Sequence, residues 1–264
     1  MAMQLETISY DVHANMAKVI LNRPQAKNAV NLQMAKDLLT AATACSTDPA
    51  IRVLVITGSG GAFSVGGDIK EFSSYKDQLP GYLKEITTYL HAAISTFARL
   101  EVPVITGVNG VAAGAGIGLS CLGDVIIAAE SARFTMAYSG IGLTPDAGAT
   151  YFLPRLIGLR HTLDMLMTNR LLSSAEALEW GLVTQVVPDS DLAANLNTLS
   201  TAISGRATKA LAGSKYLIYR GLDGALETQM DDERKFISEM GQTSDAIEGI
   251  TAFNEKRKAN FIGH

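Results

Sequence analysis

From Val102 through Gly123 the chain carries no charged side chain. Such a run either crosses a membrane as a helix or lies inside a folded domain. Its own residues choose between the two. Pro103, Asn109 and glycines at 107, 110, 114, 116, 118 and 123 would interrupt a helix repeatedly where every backbone group needs an internal partner. A buried strand over 102–108, a glycine-rich turn and a helix over 114–122 account for the same composition. Another apolar strand follows over 124–129.

Upstream the pattern is similar. The run Met-Ala-Lys-Val-Ile-Leu over 16–21 is closed by Asn22-Arg23-Pro24, and a β-branched run over 52–57 is stopped by Gly58-Ser59-Gly60-Gly61. Between them Asn31 reads as an N-cap for a helix carrying Leu32, Ala35, Leu38, Leu39 and Ala42 at helical spacing. A longer helix is predicted over 81–99. Its apolar stripe is Tyr82, Leu83, Ile86, Tyr89, Leu90, Ile94 and Phe97, with Lys84, Thr88, His91 and Ser95 on another face. Strands alternating with helices predict an α/β core with a mostly parallel sheet.

After about residue 150 helices dominate. Ser173-Ser174-Ala175-Glu176 reads as a capping box, and Gly181 as a C-cap before a strand over 183–187. The texture changes near 195–200, which divides the chain into a core over 1–195 and a helical region over 196–264. With 47% apolar and 18% charged residues, 264 residues suffice for a large core. Twenty-two basic residues against 26 acidic ones give a net charge of −4, without the basic surplus of a nucleic-acid binder. Cys45, Cys121 and the histidines at 13, 91, 161 and 264 show no metal-ligand spacing. No metal is expected, and the cysteines read as small buried hydrophobes of a reducing compartment. The start, MAMQLETISYDV, lacks a basic n-region and an apolar h-region. A soluble, cytoplasmic protein with no membrane or nucleic-acid partner is the expectation.

The glycine turns fail the common phosphate-binding patterns. Gly114-Ala115-Gly116-Ile117-Gly118 puts Leu119 where the dinucleotide fingerprint needs its third glycine, and no Walker lysine follows any loop. Ala62-Phe63-Ser64-Val65-Gly66 is one substitution from a nucleophile elbow, which would also require a placed histidine and acid.

Three segments read together are far more specific. They are Gly61-Ala-Phe-Ser-Val-Gly-Gly-Asp-Ile-Lys-Glu71, Val108-Asn-Gly-Val-Ala-Ala-Gly-Ala-Gly-Ile-Gly118 and Phe134-Thr-Met-Ala-Tyr-Ser-Gly-Ile-Gly-Leu-Thr-Pro-Asp-Ala-Gly148. Jointly they resemble the signature of the crotonase (enoyl-CoA hydratase/isomerase) superfamily, over nearly the whole chain. The resemblance implies the crotonase (ClpP/crotonase-like) fold, a spiral of β-β-α units with a C-terminal helical region. It implies an acyl-CoA thioester substrate, no cofactor beyond the coenzyme A carried by that substrate, and a homotrimer or homohexamer. By motif match, the backbone N–H groups of Gly67 and Ala115 are the donors that hold the thioester oxygen as an enolate forms. Ala115 opens a helix, where free N–H groups and the dipole favour negative charge.

Departures from the family pattern bear on the reaction. A family hydratase carries two glutamates. Three residues past the Ala115 donor this chain has Gly118, and four residues past Phe134 it has Tyr138. Instead Asp146 stands in the turn where several family isomerases keep a single base, and burial beside Ile141 and Leu143 is expected to raise its pKa. The nearest resemblance is to the 1,2-epoxyphenylacetyl-CoA isomerase group of phenylacetate catabolism and to Δ3,Δ2-enoyl-CoA isomerases. It is carried by the run over 108–116, the Gly142-Leu143-Thr144-Pro145-Asp146 turn, Leu153-Pro154-Arg155 and the helix from Leu226 to Arg234.

Three readings stand beside an isomerase. One is enoyl-CoA hydration in the broad family sense, and another is a non-catalytic acyl-CoA binder. The third is a relative of 4-chlorobenzoyl-CoA dehalogenase with Asp146 as nucleophile. His91 matches that enzyme's active-site histidine, but Tyr138 replaces its tryptophan. The resemblance further implies pantetheine and adenine contacts at Ala26, Val65 and Ile69, with Asp68 near the adenine. Tyr138 and His91 become candidates for substrate or coenzyme A binding. Lys256, Arg257 and Lys258 are placed either on CoA phosphates or on a solvated helix end.

Overall fold

The uncharged run resolves into strand, corner, strand and helix, and that step is the unit of the whole fold. In the computed structural model, which describes Met3 and residues 5–264, the chain opens on a hairpin of β1 (Ile8–His13) and β2 (Met16–Leu21). Met1, Ala2 and Gln4, at the start searched for a signal sequence, lie outside the described residues. Then β3 (Val53–Gly58) is followed by β4 (Ala62–Ser64), β5 (Val104–Val108) by β6 (Val111–Ala113), and β7 (Val125–Ala129) by β8 (Arg133–Thr135). The longer strands join one sheet ordered β1-β2-β3-β5-β7-β10, closed by β10 (Gln185–Val187) and parallel beyond the first hairpin. The short ones join a second sheet, β4-β6-β8-β9, in which only β9 (Leu172–Ser173) runs antiparallel.

This spiral explains how distant segments meet. After β2 comes α1 (Leu32–Thr47). α2 (Ile69–Tyr75) and α3 (Leu79–Ala98) follow β4, α4 (Ala115–Ser120) follows β6, and α5 (Ala149–Leu156) and α6 (Gly158–Thr168) follow β8. Each of the three motif segments leaves the C-terminal end of a short strand, and those strands are neighbours.

The main core lies between the larger sheet and helices α1 and α3, where Met34, Leu38, Leu54, Ile56, Leu90 and Phe97 are buried. Asn31 caps α1 as expected, its Oδ1 accepting from the Met34 amide at 3.0 Å. On the sheet's other face Val53, Val55, Ile105 and Ile127 pack against Leu192 and Leu196. Burial on both faces explains why these strands read as continuous apolar runs.

Towards the C-terminus, the capping box forms at the head of α7 (Ser174–Glu179), with the Ser173 amide donating to Glu176 Oε2 at 2.9 Å. Gly181 follows at φ +81°, and the Leu182 amide closes the end on the Ala177 carbonyl at 2.8 Å. α8 (Leu192–Ser204), which supplies Leu192 and Leu196, spans the division drawn between 195 and 196. Beyond it lie α9 (Thr208–Gly221), α10 (Leu226–Met240) and α11 (Ser244–Asn254). No residue of α10 is buried, and its Leu226, Met230 and Ile237 are exposed. Cys45 and Cys121 are buried thiols, each pushed up to about 12 by loss of solvent. No described helix is long and apolar enough to cross a membrane.

Candidate active site

Two turns of the spiral touch at Gly66 and Gly114. A β-carbon on Gly66 would stand 2.8 Å from the Ala113 carbonyl oxygen and 3.1 Å from the Ala115 amide nitrogen, so only glycine permits this approach. Gly66 has φ +89° and Gly114 φ +52°, both left-handed. Around Gly67, the Gly66 carbonyl accepts from Val30 at 2.7 Å and the Asp68 amide donates to Val30 at 2.9 Å. That bridge turns the intervening Gly67 amide away from Val30. Ala115 is the first residue of α4, so its amide has no intrahelical acceptor. Neither amide donates to any acceptor among the described residues. Both residues line one cavity of about 350 Å³.

Tyr138 and Asp146 line the same cavity. The phenol donates to Asp146 Oδ1 at 2.5 Å. Burial, together with the adjacent carboxylate charge, pushes the phenol pKa well above its ordinary value. Tyr138 is therefore a neutral donor and Asp146 the acceptor, which leaves Oδ2 of the half-buried carboxylate with no donor among the described residues. The chain is bent sharply on both sides of this pair. Ala137 has φ +57°, Ala147 +52° and Gly148 +73°. A left-handed alanine costs about 1–2 kcal/mol, so tertiary contacts must hold these turns. The Asp146 carbonyl accepts from Ala149 at 3.0 Å, and the Ala147 amide donates to His91 Nε2 at 3.2 Å.

The same turn fills the space beside Gly118. A β-carbon on Gly118 would lie 2.2 Å from the Ala147 carbonyl oxygen and 2.9 Å from the Ala147 β-carbon. The position where a family hydratase carries its first glutamate is therefore closed to any side chain, and Tyr138 occupies the second.

Of the remaining predicted residues, Val65 and Ile69 line the cavity, whereas Ala26, Asp68 and His91 do not. Asp68 caps α2, accepting from the Glu71 amide at 3.1 Å, and pairs with Arg23 at 2.9 Å. His91 instead lines a second cleft of about 1170 Å³, which Pro145 and Asp146 also border. Ser64 is no nucleophile: it is fully buried, and its hydroxyl donates to the Asn28 carbonyl at 2.8 Å. Arg257 in the basic cluster is held by Glu248 at 2.6 and 2.9 Å and by Glu255 at 2.6 Å. The apolar stripe of α3 was not singled out as part of a site. Leu83, Ile86 and Leu90, together with Val30 and Phe72, form the apolar wall of the cavity, while Ile141 is 51% exposed.

A model described as enoyl-CoA hydratase/isomerase matches residues 11–264. The chain is similar to the 1,2-epoxyphenylacetyl-CoA isomerase of Escherichia coli (strain K12), 35% identical over 260 residues, 98% of this chain and 99% of the relative. It is equally similar to the crotonyl-CoA hydratase of Syntrophomonas wolfei, 35% identical over 262 residues, 98% of this chain and 99% of that one. A solved structure of an enoyl-CoA hydratase from Bacillus anthracis superposes with a TM-score of 0.92 at 31% identity, covering 98% of this chain and all of that one. The crotonase spiral expected from the motifs is the observed fold. Both reaction types occur among these relatives.

Proposed function

The chain belongs to the enoyl-CoA hydratase/isomerase family, and we propose that within it the protein is an acyl-CoA isomerase with one carboxylate as its proton carrier. The observation that carries this reading is the Tyr138–Asp146 pair lining one cavity with Gly67 and Ala115, with position 118 sterically closed. The substrate thioester oxygen takes the Gly67 and Ala115 amides. Asp146 removes a proton from C2, and the electron pair moves onto that oxygen as an enolate. The new carboxylic acid returns the proton to C4 as the double bond moves from C3–C4 to C2–C3. Such backbone donors act only as charge develops, which is where they lower the barrier. A single carboxylate suits a proton moved between two carbons, whereas water addition needs a second group to activate the water.

Coenzyme A enters as part of the substrate, its pantetheine along Val65 and Ile69, with Ala26 and Asp68 on the adenine side. The exposed apolar side chains of α10 are buried in a homotrimer or homohexamer. Resemblance to the E. coli relative supports a shift of a double bond or a ring oxygen on the acyl group. In the test, a 3-enoyl-CoA and a 2-enoyl-CoA are supplied separately and the conjugated thioester is followed by ultraviolet absorbance. The signal should rise with the first substrate, stay constant with the second, and vanish in Asp146→Asn. Steady loss of the 2-enoyl signal would assign hydration. Tight acyl-CoA binding with no turnover would assign a binder.

A further inference from the structure

We propose that His91 is a positioning residue that holds Asp146 in working geometry through the Ala147 amide. This rests on the reading of Asp146 as the proton carrier. His91 lies on α3, outside the cavity that contains the reacting groups. Its Nε2 accepts the Ala147 N–H at 3.2 Å. To accept that bond Nε2 must be the ring nitrogen without hydrogen, which puts the ring N–H at Nδ1.

Ala147 is the residue that most needs such a partner. It is fully buried, follows Asp146 directly, and sits at φ +52°. Its amide has no other acceptor among the described residues. Without His91 that buried N–H is unsatisfied, and the left-handed backbone loses the contact that offsets its strain. The turn would relax towards an ordinary conformation and carry Asp146 away from Tyr138 and the substrate C2. The Asp146 carbonyl accepts from the Ala149 amide at 3.0 Å and from the Tyr138 phenol at 3.5 Å, while the next peptide, at Ala147, is held from α3. Leu90, beside His91 in sequence, lines the reacting cavity. One helix therefore sets both the apolar wall and the carboxylate that works against it.

Two variants separate positioning from other roles. His91→Leu fills the space but removes the acceptor, and His91→Gln places an amide oxygen near the Nε2 position. With a 3-enoyl-CoA, His91→Leu should lower kcat about tenfold or more, because small misplacements of reacting groups are costly. KM should stay within about twofold, as for a loss felt only in the transition state. His91→Gln should recover most of that loss. Hydrogen exchange over residues 143–150, read by mass spectrometry, should show protection in wild type and His91→Gln and faster exchange in His91→Leu. Equal exchange in all three proteins would overturn the proposal. So would a raised KM with unchanged kcat, or a His91→Gln as slow as His91→Leu. Absent turnover in wild type would sink the isomerase reading, while the exchange experiment still decides the His91 contact.

Discussion

The two sides of the cavity are built on different principles. On one side Gly67 and Ala115 contribute only backbone N–H groups, from turns so close that Gly66 admits no β-carbon. On the other side Tyr138 and Asp146 contribute side chains, and the residues beside them, Ala137 and Ala147, are alanines in left-handed backbone. The first side is a property of chain geometry and suits any thioester. The second depends on which side chain stands at each position, and Tyr138 there departs from the hydratase pattern, as Gly118 does in α4. In the function proposed above, substrate activation rests on the backbone, and the choice of reaction on side chains.

That contrast can be broken at its backbone side first. Ala115→Pro removes one N–H at the first position of α4, a place where proline suits a helix. It should lower kcat about 10²–10³-fold. Activity near wild type would show that the Ala115 amide is not a donor to the thioester. Next is Gly118→Glu, which would restore a hydratase carboxylate if position 118 were open. With Ala147 in the way it should instead cost about 1–3 kcal/mol in a denaturant titration and bring no hydration of a 2-enoyl-CoA. A stable variant that adds water would show that the turn yields.

Smaller effects sharpen the side-chain half. Tyr138→Phe removes the donor to Asp146 and should reduce kcat about tenfold, in line with a hydrogen bond to a charged group. Burial and the neighbouring carboxylate both disfavour the phenolate, so Tyr138 stays protonated beyond the ordinary tyrosine value of 10.0. Ultraviolet titration of the folded protein to pH 10 should therefore give the same phenolate signal for wild type and Tyr138→Phe. A missing phenolate in the variant would place Tyr138 in a more open setting than the one described.

Much of the scaffold was legible in the sequence, for reasons particular to its elements. The strand expected over 16–21 is β2 (Met16–Leu21), because its apolar run is bounded by turns. The helix expected over 81–99 is α3 (Leu79–Ala98), because its apolar stripe is long and regular. The three-residue strands β4, β6 and β8 are too short to carry a period, and their pairing comes from stacking of the spiral. The division at 195/196, drawn where the texture of the sequence changes, falls inside α8, whose Leu192 and Leu196 pack against the sheet. The motifs singled out Gly67, Ala115 and Asp146, and the structure brings all three to one cavity. What they did not reveal is how Asp146 is held. No local propensity places an alanine at φ +52°, and the bond from Ala147 to His91 spans 56 positions of the chain.

The central claim is that Asp146 takes the proton from C2, and isotope exchange tests it without dependence on the final product. Wild type and Asp146→Asn are each incubated with a 3-enoyl-CoA in deuterated water, and deuterium at C2 and C4 is measured by mass spectrometry and NMR. Wild type should incorporate label, while Asp146→Asn binds the acyl-CoA and incorporates none. Exchange at the wild-type rate in Asp146→Asn would contradict the account and move the base elsewhere in the cavity.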